Sequence, residues 1–226
     1  MSQEGRVLGL IGGLGPSATI YYYRGLIAAH AARGCVPRML IAHADVDRAR
    51  PLAEADRLDE LAHYLNGFID SMAAGGAEMA AIVAVTPHIC AAQLEPVLRI
   101  PLIDMVSEVA AEIRARGLKR VALLGTRSTV ASRMFGRLGA DVVVPTPDEI
   151  DLINNAYLDV VYDRDTGATI DRLRELAHTL IKRDGAESVL LAGTDLSMVM
   201  NEANAGFPTI DCAGVHVAAI TKRLLD

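Results

Sequence analysis

The apolar run at residues 7–11 ends in Gly12-Gly13-Leu14-Gly15-Pro16, and the run at 120–124 ends in Gly125 before a polar turn at 126–129. A short apolar run, a glycine-rich turn and then a segment of helical spacing form the opening of a βα unit. Finding that opening twice constrains the chain strongly, because each half must then complete a parallel sheet of its own. The fold class read from this is α/β: two parallel-sheet βα domains related by an internal pseudo-repeat, with a cleft between them. The expected boundaries are 1–112 for the first domain, completed by a C-terminal segment over 206–226, and 113–205 for the second. The connection is expected near residues 112–117.

The remaining pattern fills both rounds. The spacing predicts a helix over 20–33, capped by Ser17 or Thr19, and a strand over 39–42. A polar loop over 43–57 then leads into a helix over 56–73 that aligns Leu58, Leu61, Leu65, Phe68, Ile69 and Met72 on one face. A strand over 79–85, a helix after Pro87 and a short strand over 101–105 close the first half. The second half continues with a helix after 126–129, a strand over 142–144, a loop at Pro145-Thr146-Pro147 and a helix over 170–182. A strand over 188–191, a short strand over 209–211 and a closing helix over 215–225 follow.

In parallel sheets the functional loops lie outside the carboxyl ends of the strands. That rule gathers a small set of candidates. Thr86, Pro87 and His88 follow one strand, and Thr194 and Asp195 follow the equivalent strand of the second half. Thr126, Ser128 and Thr129 offer hydroxyls at a helix start, which suits a carboxylate or a phosphate as well as ordinary N-capping. Gly13, Leu14 and Gly15 can cradle a small anion with backbone N–H groups or simply supply a tight turn. Arg48 and Arg50 stand in a rim loop, where a guanidinium fork can grip a carboxylate or merely face solvent. His216, one turn into the last helix, is placed to face the cleft. The glycine turn is a poor dinucleotide fingerprint: Ala18 stands at the third glycine position, Pro16 interrupts the turn, and no acidic residue marks the end of the second strand.

Composition excludes other classes. A net charge of −6 without a basic run lacks the electrostatic footprint of a nucleic-acid binder. No segment approaches the roughly 20 apolar residues of a membrane span, and the polar N-terminus gives no secretory signal, so a cytoplasmic protein is expected. Three cysteines, Cys35, Cys90 and Cys212, without a C-x-x-C pair, fit neither a zinc ribbon nor a disulfide framework, and no metal site is expected.

In order along the chain these residues resemble the aspartate/glutamate racemase family. The opening Ile11-Gly12-Gly13-Leu14-Gly15-Pro16-Ser17-Ala18-Thr19 is close to the family's G-G-(M/L)-G-P-x-A-T. Ile100-Pro101-Leu102-Ile103-Asp104-Met105 is similar to its I-P-(I/L)-(I/L)-x-M. Leu123-Leu124-Gly125-Thr126 with Thr129 is similar to L-L-(A/G)-T-x-x-T, and Pro208-Thr209-Ile210-Asp211 with His216 completes the set. The resemblance implies a cofactor-independent enzyme, usually a homodimer, in which one cysteine thiolate removes the α-proton of a bound amino acid and a second thiol returns one from the opposite face.

Both of those cysteines are replaced. The family's C-N-T-A-H reads Ala84-Val85-Thr86-Pro87-His88 here, and its G-C-T-E reads Ala192-Gly193-Thr194-Asp195. Neither Ala84 nor Gly193 can abstract a proton, so two-thiol racemisation cannot run at these positions. His88 and Asp195, with Thr86 and Thr194 beside them, are the candidate catalytic residues, and Cys212 is an outside substitute for a lost thiol. Small residues at 84 and 193 also lead one to expect an enlarged pocket for a carboxylate bulkier than aspartate. The expected ligand is a small carboxylate or amino acid. The functional expectation is isomerase- or lyase-like chemistry. Its competitor is a non-catalytic carboxylate-binding protein on the same fold, and a nucleotide-cofactor enzyme stands third.

Overall fold

The computed structural model describes residues 5–162, 164 and 166–226. The first half of the chain runs β1 (Val7–Gly12), α1 (Pro16–Ala31), β2 (Arg38–His43), α2 (Val46–Glu54), α3 (Leu58–Ala74), β3 (Met79–Ile82), α4 (Ala91–Leu94) and β4 (Leu102–Ile103). The second runs α5 (Met105–Ala115), β5 (Arg120–Gly125), α6 (Arg127–Ala131), β6 (Asp141–Val142), α7 (Pro147–Val161), α8 (Thr166–Asp184), β7 (Ser188–Ala192), β8 (Thr209–Asp211) and α9 (Cys212–Leu225).

Two compact units result: the chain up to Met105 together with His216–Asp226, and Val106–Val215. Each unit holds one four-stranded parallel sheet. The strand order is β2-β1-β3-β4 in the first and β6-β5-β7-β8 in the second, so the two halves share one topology. The fold class read from the sequence is therefore present as two parallel-sheet α/β units with the same strand order. Central strands read as unbroken apolar runs because helices cover both faces of such a sheet, and every residue of β3 and β7 is buried. In the first unit, Leu61, Leu65, Ile69 and Met72 of α3 pack with Ile11 and Ile82, the face that the helical spacing predicts.

Several local expectations are corrected. The segment over 43–57 is not a loop: Asp45 accepts the Asp47 N–H at 2.8 Å and caps α2, which tolerates Pro51 inside it. Helix α1 begins at Pro16, and its N-cap is Gly15 with no side-chain cap, so neither Ser17 nor Thr19 caps it. Strand β3 stops at Ile82, and the chain then tightens into a 3₁₀ turn over Thr86–Cys90. The loop at 145–147 is the start of α7. Thr146 accepts the Glu149 N–H, and the Glu149 carboxylate accepts the Thr146 N–H in return, a complete capping box with Pro147 in the first turn. Helix α9 starts three residues earlier than expected, at Cys212, because Asp211 accepts the Gly214 N–H at 3.0 Å.

In each sheet the order reverses between the second and third positions, where the crevice outside the strand ends lies. In the first unit this point separates β1 from β3, and in the second β5 from β7. The register pairs Ile11 with Ile82 and Gly125 with Ala192. The turns that follow these residues carry most of the candidate side chains.

Candidate functional site

In the first unit the turn after β1 is held by backbone and one hydroxyl. Gly13 has φ +83, and a β-carbon there would lie 2.3 Å from the Ala44 carbonyl oxygen. The Gly13 N–H donates to the Thr19 hydroxyl, which donates to the Gly15 carbonyl, both at 3.1 Å. Thr19 thus ties the turn across its mouth. Leu14 is half-buried and Gly15 buried beside it.

After β3, Ala84 and Val85 are buried and Thr86 is half-exposed at the rim. His88 is buried. Its Nδ1–H donates to the Ala84 carbonyl at 2.8 Å, and its Nε2 accepts the Met105 N–H at 3.3 Å. Both bonds require the neutral ring with the proton on Nδ1. His88 therefore joins Ala84 to the start of α5, with both ring nitrogens engaged by the protein. Pro87 is buried and accepts the Cys90 thiol hydrogen at 3.2 Å. Burial pushes the Cys90 thiol up to about 12, so it carries no thiolate near neutrality.

His216 is also internal. It is fully buried, its Nδ1 accepts from the Tyr22 hydroxyl at 2.9 Å, and its Nε2–H donates to the Ile103 carbonyl at 2.8 Å. Burial, with His88 nearby, pushes its pKa down to about 3. The expectation that it faces a ligand is replaced by a packing role, because neither ring nitrogen points out of the protein's own bonds. Arg48 and Arg50 lie on the exposed side of α2 and not in a loop. Arg48 stacks 4.5 Å from the Tyr64 ring centroid, and Arg50 pairs with Asp47 at 3.3 Å.

In the second unit Thr126 caps α6, accepting the Thr129 N–H at 3.3 Å. Its hydroxyl also meets those of Ser128 at 3.1 Å and Thr129 at 2.9 Å. The three hydroxyls form one cluster at the end of β5. Across the strand pair, Thr194 and Asp195 are buried at the end of β7. The Asp195 Oδ2 accepts the Tyr157 phenol hydrogen at 2.8 Å. Burial raises the Asp195 carboxyl above the ordinary carboxylate range, and the Tyr157 bond works against that rise. The Tyr157 phenol is itself raised well above its usual value, by burial first and then by the neighbouring carboxylate. It stays protonated and acts as a donor.

Tyr157 is the residue that sequence reasoning missed. Its ring fills the place expected to be open at Gly193: a β-carbon on Gly193 would come within 2.4 Å of the ring's Cε2. The small residue at 193 therefore leaves no added space on that side, since an aromatic ring lies against it. The capping box at Thr146–Glu149 was the available signal for the helix, and the ring's position had none. Cys212, the first residue of α9, is buried, and burial with Asp211 beside it pushes its thiol well up. It offers no substitute nucleophile.

Among the described residues, no cluster of three or more His, Cys, Asp or Glu side chains is placed to hold a metal ion, and no helix is long and apolar enough to cross a membrane.

The model of a family described as Asp/Glu/Hydantoin racemase matches residues 11–220. Among solved structures, the chain is similar to a protein from Yersinia pestis provisionally described as an Asp/Glu racemase, with a TM-score of 0.85, 23% identity, and coverage of 98% of this chain and 100% of the other. It is similar to an aspartate racemase homologue from Pyrococcus horikoshii, at TM-score 0.83 and 24% identity over 98% and 100% of the two chains. It is also similar to the Picrophilus torridus aspartate racemase, at TM-score 0.76 and 24% identity over 96% and 94%. At these identities the structural likeness speaks for the fold.

Proposed function

This chain belongs to the Asp/Glu/hydantoin racemase family, and from that premise we propose that it is a divergent member. It acts without a cofactor on a small carboxylic or amino acid, and its isomerase- or lyase-like proton transfer uses no thiol. The observation that carries the reading is Asp195: a buried carboxyl, raised above its ordinary range, at the switch-point end of β7 and two residues past Gly193. A raised carboxyl brings the base nearer the working pH and improves its match to a weakly acidic carbon.

In this reading the ionised Asp195 takes a proton from the carbon next to the substrate's carboxyl group. The C–H electron pair moves into that carboxyl as an enediolate, and the proton on Asp195 exchanges with solvent; the carbon then takes a proton back, or the enediolate pair forms a double bond and expels a leaving group from the neighbouring carbon with its bonding electrons. Within the second unit, the Thr194 hydroxyl and the cluster of Thr126, Ser128 and Thr129 bind the substrate's oxygens. In the first unit, helix α1 starts without a side-chain cap, which by itself suits an anion at the turn of Gly13, Leu14 and Gly15. His88 and Pro87 fix the segment that carries Ala84. Assembly as a homodimer is carried over from the resemblance, and a cytoplasmic location from the polar N-terminus and the lack of an apolar span in the sequence.

A second reading, a carboxylate-binding protein without turnover, is favoured by His88, whose two ring nitrogens are both bonded within the protein. Proton NMR in D2O separates the two. Loss of an α-proton signal from a panel of chiral carboxylic and amino acids, abolished by Asp195→Asn, supports the enzyme. Line broadening of a ligand without exchange supports the binding protein and overturns the enzyme.

A further inference from the structure

We infer that Tyr157 is the positioning residue of this site, holding the Asp195 carboxyl from the space that a side chain at position 193 would otherwise occupy. The inference rests on the reading of Asp195 as the acid–base group.

Three observations meet at this pair. First, Gly193 has φ −144 and ψ 117, extended backbone that any residue adopts, so its own conformation does not call for glycine. What calls for glycine is the ring: a β-carbon would meet Tyr157 Cε2 at 2.4 Å, Cδ2 at 2.9 Å and Cζ at 3.2 Å. Second, the ring that excludes a side chain at 193 ends in the hydroxyl that donates to Asp195 Oδ2 at 2.8 Å. One residue therefore both occupies the vacated volume and orients the nearest carboxyl. Third, Tyr157 reaches this place from α7, a helix anchored at its start by the capping box of Thr146 and Glu149. Helix α7 also packs against β5 and against the 3₁₀ turn that carries Asp195. The phenol is thus delivered by a rigid element, as a positioning group requires.

The consequence is a division of labour within the carboxyl. Oδ2 is held by a phenol that keeps its proton, and Oδ1 is the oxygen that exchanges one with substrate. The hydrogen bond favours the ionised form, so it offsets part of the effect of burial. Among the described residues, Tyr157 is the one titratable side chain that shifts Asp195; burial and the residue's own backbone N–H are the remaining causes.

The test is a carboxyl titration followed by ¹³C NMR on protein labelled at aspartate carboxyls. The Asp195 signal is identified by its loss in Asp195→Asn. Tyr157→Phe keeps the ring over Gly193 and removes only the hydroxyl. Its Asp195 midpoint is expected to rise by about one pH unit, the size of one hydrogen bond to a carboxylate. An unchanged midpoint in folded Tyr157→Phe overturns the inference. Where a substrate exchanges its α-proton, the acid limb of the exchange rate must move upward with the NMR midpoint in Tyr157→Phe; a limb that stays in place overturns the positioning role. If no substrate exchanges, the enzymatic reading of Asp195 falls, while the titration still decides what Tyr157 does to it.

Discussion

The ring of Tyr157 lies against the α-carbon of Gly193, leaving no room for even a methyl group on that carbon. Gly193→Ala is therefore an overpacking change, expected to destabilise the protein by about 1–3 kcal/mol. Thermal or denaturant unfolding measures it. Combined with Tyr157→Leu, the same substitution should cost less than it does alone, with a coupling of about 0.5–3 kcal/mol in the double-mutant cycle. Gly193→Cys meets the same ring, because its β-carbon takes the place of that methyl group. Additive costs would show that the ring moves aside freely.

The buried His216 ring predicts a particular acid sensitivity. The folded protein holds it neutral, with a pKa pushed down from 6.5 to about 3. Below pH 6.5 the unfolded chain takes up a proton that the folded chain refuses. Stability is thus fully present above about 6.5 and is lost as pH falls toward 3, by about 1.4 kcal/mol per pH unit at the steepest. His216→Gln keeps a donor and an acceptor near Ile103 and Tyr22 but cannot titrate. Its unfolding free energy, measured from pH 7 to pH 5, should fall less steeply than that of the wild type. Parallel curves would mean that His216 is protonated in the folded state.

The architecture was legible because its signals are local. Apolar runs ending in glycine turns gave both sheets, and the face of Leu61, Leu65, Ile69 and Met72 gave α3. Helix α2 was hidden by Pro51 and its many charges, which read as loop, although Asp45 supplies an ordinary cap. Helix α7 was obscured by the two prolines at 145 and 147, one of which sits where a helix start accepts it. The site was legible only in part. The strand ends placed Thr86, His88, Thr194 and Asp195 at the switch points, but spacing does not show that His88 and His216 spend their ring nitrogens on the backbone and on Tyr22. The approach of Tyr157 to Gly193 joins residues 36 positions apart on different elements, and no period or motif encodes that contact.

The cysteines should separate into two classes. Cys35 is exposed, while Cys90 and Cys212 are buried, and burial raises both buried thiols. Titration of the native protein with an aromatic disulfide should consume one thiol rapidly, and all three only after unfolding. On the proposed mechanism, any α-proton exchange survives the modification of Cys35. Loss of exchange on that modification would return a thiol to the chemistry.

Gly13 and Gly34 both adopt positive φ, +83 and +70, yet their surroundings differ. Around Gly34 nothing lies within 4 Å of an added β-carbon, so Gly34→Ala meets only the left-handed backbone penalty, about 1 kcal/mol. At Gly13 the same methyl would stand 2.3 Å from the Ala44 carbonyl oxygen and 2.9 Å from its nitrogen. Ala44 is fixed in turn by its N–H, which donates to the Gly12 carbonyl at 2.9 Å. Relief therefore needs β1 and the chain after β2 to separate, breaking that bond and moving the Gly13 bond to Thr19. Gly13→Ala should cost at least about 2 kcal/mol more than Gly34→Ala, since backbone strain and lost hydrogen bonds add to the penalty common to both. Equal midpoints in urea for the two variants would show that the turn after β1 yields without cost. A folded but weakened Gly13→Ala protein that no longer broadens any carboxylate ligand would tie this turn to binding as well as to stability.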